Sequence, residues 1–145
     1  MIAVTNRPQT NLPCQHGISI AQRGWMYENM GYAASAMTMY QQAVRTLSRG
    51  IDQMGESAPD DALFHLGASQ LRLGCMNRKL GNLEAARQLV EKAVPNLEAA
   101  WERLPDNRGY QQALAQASMM LDENERVGDE WSGHLATDLF GAVPV

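Results

Sequence analysis

The 145-residue chain has the composition of a folded protein with one core, since 45% of its residues are apolar and 19% are charged. Its net charge of −4, without a basic block, gives no electrostatic basis for binding nucleic acid. The two cysteines, Cys14 and Cys75, are too few for a disulfide framework or a thiol-only zinc site. We therefore expect one domain in a reducing, cytoplasmic setting.

Residues 1–17 are predicted to form a flexible or docked N-terminal segment. Pro8 and Pro13 stand among polar residues that favour turns, and no apolar run follows Arg7 as it would in a secretory signal. No other stretch approaches the roughly 20 apolar residues of a membrane span, so no membrane partner is expected.

From Ile18 onward, apolar residues recur at helical spacing, and glycines interrupt the pattern at Gly31, Gly55 and Gly81. Gly31 is expected to end its helix as a left-handed cap. The predicted helices span about 18–30, 32–54, 60–80, 82–104 and 107–127. No alternating strand pattern is present, so the predicted fold class is all-α.

Three local features refine these helices. Ser57 is predicted to cap the third helix through its hydroxyl, and Asn82 is predicted to cap the fourth. Pro95 falls inside the fourth helical pattern, which we expect to continue through it with a kink.

The last stretch, residues 128–145, follows Val127 and carries apolar residues four apart. These are Trp131, Leu135 and Leu139, a spacing that permits a C-terminal tail or a short amphipathic helix.

An internal repeat is the strongest signal in the chain. The triplet Ala36, Tyr40 and Ala43 recurs fifty residues later as Ala86, Val90 and Ala93. In the first copy, Gly24-x-x-Tyr27 and Gly31 precede Ala36-x-x-x-Tyr40 and Ala43. This pattern resembles the tetratricopeptide repeat (TPR) family over residues 18–48, and less closely over 68–98.

The resemblance implies antiparallel helix-turn-helix pairs stacked as a short solenoid over residues 18–127, with the fifth helix as its cap. The helices would be unusually long, because the usual repeat has about 34 residues and this one has fifty. The extra turns are expected where the second helix ends and the third begins. The Ala-x-x-x-Tyr-x-x-Ala spacing also resembles the three-helix microtubule-interacting and transport modules, although only over the first half of the chain.

In proteins of the TPR family, the first helix of each pair lines a concave groove that holds a peptide or partner helix. Carried over to this chain, the resemblance gives a groove with Trp25 as its best anchor. The full predicted lining is Ile18, Ala21, Gln22, Trp25, Glu28, Asn29, Ala68, Leu71, Cys75 and Arg78. The alternative for Trp25 is packing beneath the N-terminal segment.

Two further groups of side chains leave alternatives open. Arg72, Arg78 and Lys79 form a basic cluster that either binds a carboxylate or simply remains solvated. The nine methionines suit either an irregular core or an adaptable binding surface.

No catalytic, metal or cofactor site is predicted. His16, His65 and His134 lie far apart without ligand spacing, and no glycine-rich phosphate loop is present. The predicted function is a protein–protein interaction module, adaptor or chaperone-like, rather than an enzyme. The alternative is a structural subunit that forms a homo-oligomer through its helix ends or its C-terminal tail.

Overall fold

Five α-helices make up the computed structural model, which describes residues 12–127. They are α1 (Leu12–Asn29), α2 (Ala33–Met54), α3 (Asp60–Lys79), α4 (Leu83–Arg103) and α5 (Arg108–Val127), with a short 3-10 turn at Gly55–Ser57. No strand occurs between residues 12 and 127, and the all-α prediction is confirmed. The predicted C-terminal tail or helix at 128–145 and most of the N-terminal segment lie outside the described residues.

The helices pack as antiparallel pairs in a short solenoid. α1 pairs with α2 and α3 pairs with α4, while α3 also packs on α2 and α5 packs on α4. Because successive helices alternate in direction, α1, α3 and α5 run the same way. α3 contacts all four other helices, and every residue from Ala62 to Met76 is buried.

The turns inside the two pairs are copies of each other. Gly31 and Gly81 both have φ of +87°, the left-handed conformation that glycine adopts without strain. The amide of Tyr32 donates to the carbonyl of Tyr27 at 2.9 Å, and the amide following Gly81 makes the same bond to Asn77. The predicted left-handed cap at Gly31 is confirmed.

Helical glycines bring the two helices of each pair into close contact. A Cβ atom added at Gly17 would lie 2.5 Å from Cγ of Leu47, and one at Gly67 would lie 2.7 Å from Cγ of Leu97. The same relation joins Gly24 to Tyr40 and Gly74 to Val90. The fifty-residue repeat is therefore a repeat of helix–helix contacts.

α1 begins at Leu12, so the predicted start of the first helix at Ile18 is six residues too late. Pro13 lies in the first turn, where its missing amide hydrogen removes no helical bond. Cys14 is buried against α2, since a Cβ at Gly50 would lie 3.0 Å from its Sγ. These contacts give α1 a packed face from its first turn, opposite the long α2.

One predicted cap is wrong, because Ser57 lies in the 3-10 turn and the residue before α3 is Pro59, which makes no side-chain cap bond. Asn82 occupies the N-cap position of α4 as predicted, but its Nδ2 donates to Asn77 Oδ1 at 3.2 Å and its side chain makes no cap bond. As predicted, α4 continues through Pro95.

A polar cluster joins α1, α2 and α3. Tyr40 donates its hydroxyl to Glu28 Oε1 at 2.8 Å, and Arg72 Nε donates to the same oxygen at 3.1 Å. Arg72 Nη2 also donates to Glu28 Oε2, which makes the pair bidentate. Since only 9% of the Arg72 side chain and 18% of the Glu28 side chain are exposed, this ion pair links the first repeat to the second with little solvent screening.

The close contact at Gly67 predicts an unfavourable Gly67→Ala substitution. We expect it to lower the free energy of unfolding by about 1 to 3 kcal/mol through overpacking. This would outweigh the gain of roughly 1 kcal/mol that alanine normally brings to a helix. Urea unfolding followed by circular dichroism measures the change. In a Leu97→Ala background, which removes the facing side chain, Gly67→Ala should be neutral or stabilising. The same loss in both backgrounds would contradict the contact.

The buried ion pair predicts a large effect of Glu28→Gln, because a nearly buried guanidinium would lose its counter-charge. We expect a loss on the order of 2 to 3 kcal/mol, somewhat below the roughly 3 to 5 kcal/mol for breaking a fully buried pair. Glu84→Gln is the matched control, since Glu84 pairs with Arg87 on the exposed surface of α4. Thermal or urea unfolding should show no measurable change in the control. Equal effects in the two variants would refute the conclusion that the buried ion pair of Glu28 and Arg72 stabilises the fold.

Candidate functional site

The contacts of α3 divide its surface into faces. Gly67 and Gly74 face α4. Phe64 faces α5, where its ring stacks on Tyr110 with centroids 4.6 Å apart. Cys75 faces α5 as well, with its Sγ 3.9 Å from Sδ of Met120.

The opposite stripe of α3 faces the first helix pair. Ala62 and Leu66 pack in a cluster with residues of α1 and α2. At 3.6 residues per turn, His65 and Arg72 lie between this stripe and the one that faces α5. They are seven residues apart and therefore share one line along the helix.

This line on α3 corresponds to a line on α1. Gln22 stands fifty residues before Arg72, and Asn29 lies seven residues after Gln22. We call the surface formed by Gln22 and Asn29 of α1 and by His65 and Arg72 of α3 the inner face. It is the candidate functional site.

The inner face carries little free charge on α3. Burial lowers the pKa of His65 to about 4, so its imidazole is neutral at pH 7. Arg72 is charged, but Glu28 compensates it. The predicted basic cluster is therefore divided: Arg72 serves an internal ion pair, and Arg78 and Lys79 stand at the C-terminal end of α3.

Most of the predicted groove residues of α1 lie on or beside the inner face, but Ala21 is buried in the second cluster and does not line a groove. Gln22 and Asn29 are exposed. Trp25 is partly buried and packs against the main core, and Ile18 is partly buried against the second cluster. Glu28 is held by Arg72, so its carboxylate is already bonded within the chain.

The predicted groove residues of α3 lie elsewhere. Leu71 and Cys75 are 0% and 4% exposed, so neither presents a surface to a partner in this structure. Cys75 is buried because α5 packs against the side of α3 that carries it. Arg78 lies one turn beyond Cys75 and is partly buried, with its terminal guanidinium nitrogens shielded from solvent.

Sequence reasoning missed His65 as an inner-face residue and considered Arg72 only as part of a basic cluster. A signal was present, because applying the fifty-residue repeat to Gln22 leads directly to Arg72. Met26, one of the nine methionines considered above, is 54% exposed one turn from Gln22. The predicted core role is confirmed for Met76 and Met120, which are buried, while a role of the methionines in binding stays a prediction.

Between residues 12 and 127, no three His, Cys, Asp or Glu side chains are grouped so that they could hold a metal ion. None of the five helices is long and apolar enough to cross a membrane.

Comparison with known proteins agrees with the repeat geometry. A family model described as "Tetratricopeptide repeat" matches residues 19–46 and 68–94. The first match covers most of α1 and α2, and the second covers much of α3 and α4. No curated protein and no solved structure matched the sequence. Tetratricopeptide repeats generally mediate protein–protein interactions, and the fold is typically non-enzymatic. The chain therefore belongs to the tetratricopeptide repeat family and contains two such repeats, α1–α2 and α3–α4.

Proposed function

We propose that this protein is an adaptor or chaperone-like module that binds a helix or extended segment of a partner protein on its inner face. The observation that carries the proposal is the position of Trp25, a partly buried aromatic side chain at the border of that face. Gln22 and Asn29 are exposed beside it. A rigid aromatic edge next to amides suits a partner that presents both apolar side chains and polar groups.

Met26 adds to this surface. Its side chain is 54% exposed between Gln22 and Asn29 in the sequence of α1. A flexible thioether adapts to irregular apolar shapes, and methionines are frequent on surfaces that accept several partners. The proposed site thus has one rigid anchor, Trp25, and one adaptable contact, Met26. Leu71 and Cys75 are left out of the site because they are buried. His65 and Arg72 are only 7% exposed, so the proposed contact surface lies mainly on α1.

The proposal predicts that charge on the inner face weakens partner binding. A photo-crosslinking residue at Gln22 would first identify the partner segment. Gln22→Arg/Asn29→Arg should then weaken its binding at least tenfold, because the guanidinium groups would occupy the contact surface. Isothermal titration calorimetry with the identified segment measures the change.

The matched control is Gln41→Arg/Gln53→Arg on α2, which adds the same charge at exposed positions outside the inner face. Circular dichroism should show unchanged helicity in both double variants. Equal weakening by the two would point to a general charge effect, and unchanged binding in the inner-face variant would refute the proposed site.

A second candidate function, self-assembly through helix ends, is favoured by a separate observation. The turn ends of both helix pairs expose apolar side chains: Met30 and Leu80 are 58% and 65% exposed and occupy equivalent repeat positions. Tyr32 and Leu83 extend the same edge at 56% and 41%. Apolar side chains grouped at one end of a molecule suit contact with a second copy.

This alternative predicts a dimer or larger oligomer that dissociates in Met30→Asp/Leu80→Asp. Two carboxylates would oppose burial of the turn edge. Leu104→Asp is the control, since Leu104 is 43% exposed at the opposite end of α4. Light scattering after size-exclusion chromatography reports the mass, and a monomer in the unmodified protein at high concentration would contradict self-assembly.

A further inference from the structure

The end of α5 brings the chain to the end of the solenoid at which α3 also ends. α5 runs in the same direction as α3, so Val127 lies at the same end of the solenoid as Lys79. Segment 128–145 therefore begins beside the end of α3. α1 begins at the opposite end, at Leu12, so residues 1–11 start from there.

The part of the inner face that belongs to α3 is shielded from solvent. His65 and Arg72 are each 7% exposed, and Ser69, one turn from both, is 0% exposed. Ser69 Oγ has no hydrogen-bond partner among the described residues.

The charge of segment 128–145 complements the end of α3. The segment contains Asp129, Glu130 and Asp138 and has no lysine or arginine. Asp129 and Glu130 come two and three residues after Val127 in the sequence, and Val127 lies at the end of the solenoid where Arg78 and Lys79 end α3. Residues 1–11 have the opposite character, with one arginine and no acidic residue. Charge thus favours the C-terminal segment over the N-terminal one.

The length and apolar pattern of the segment also fit. As a helix its 18 residues would span about 27 Å, close to the roughly 30 Å of the 20-residue α3. Trp131, Leu135 and Leu139 share one stripe, and α1 offers Trp25 as an apolar counterpart.

We propose that segment 128–145 docks on the inner face of its own chain and must be displaced before a partner binds there. Docking stands on the position, charge and length of the segment. The inference that the segment must be displaced rests, in addition, on the proposed function. Because segment 128–145 is covalently attached at Val127, it would be present at a high effective concentration and would compete with a partner in solution.

Fluorescence quenching tests the docking in the full chain. With Trp25→Phe/Trp101→Phe, Trp131 is the remaining tryptophan. Acrylamide should quench it several-fold less in the folded protein than in urea. Leu135→Asp should restore ready quenching, whereas Thr137→Asp, off the stripe, should leave Trp131 protected. Quenching of the folded protein equal to that in urea would overturn the docking.

Photo-crosslinking locates the docked segment. A crosslinker at Gln22 should capture residues 128–145 of the same chain, and one at Gln41 on α2 should not. Capture of residues 1–11 instead, or capture between chains in a species that light scattering shows to be a dimer, would overturn the proposal.

Displacement has its own readout. Leu135→Asp should tighten partner binding about tenfold, and Thr137→Asp should leave it unchanged. If Leu135→Asp exposes Trp131 to quenching but leaves the affinity for the partner unchanged, displacement is overturned. Because protection of Trp131 needs no partner, failure of the proposed function and failure of docking give different results.

Discussion

The close contact between the two helices of each pair is the constraint on which the rest of the structure depends. Because Gly17 and Gly67 have no Cβ atom, Leu47 and Leu97 can pack directly against the backbone of the facing helix. Tight pairing determines which side of α1 packs against α2 and which side of α3 packs against α4. Every other contact, including the inner face, uses the surface that remains.

α3 shows the consequence of stacking such pairs. It contacts α1, α2, α4 and α5, and its middle is buried on every side. A helix in this position carries polar residues only if they are compensated, as Glu28 compensates Arg72, or if burial keeps them neutral, as it does for His65. The proposed binding surface therefore lies mainly on α1, beside Trp25.

The surfaces proposed for partner binding and for self-assembly are different parts of the molecule. The inner face runs along the helices, whereas the exposed turn edge, with Met30 and Leu80, lies at their ends. Both proposals can hold for one protein because neither surface requires the other to be covered. The acidic, apolar segment after α5 would act only on the inner face.

By itself, the sequence determined the local and repeating features of this protein. Gly31 and Gly81 predicted the turns, and the alanine and aromatic spacing predicted the paired helices. The role of Trp25 as a groove anchor stays a prediction. These signals are local, or recur at a fixed spacing of fifty residues. The start of α1 was missed because Pro13 suggests a loop until the contact of Cys14 with α2 is known. Only the tertiary structure decided whether Leu71 and Cys75 are exposed to solvent. Both are buried, and the face of α3 that carries Cys75 is covered by α5, whose position depends on packing between residues some 45 positions apart in the chain.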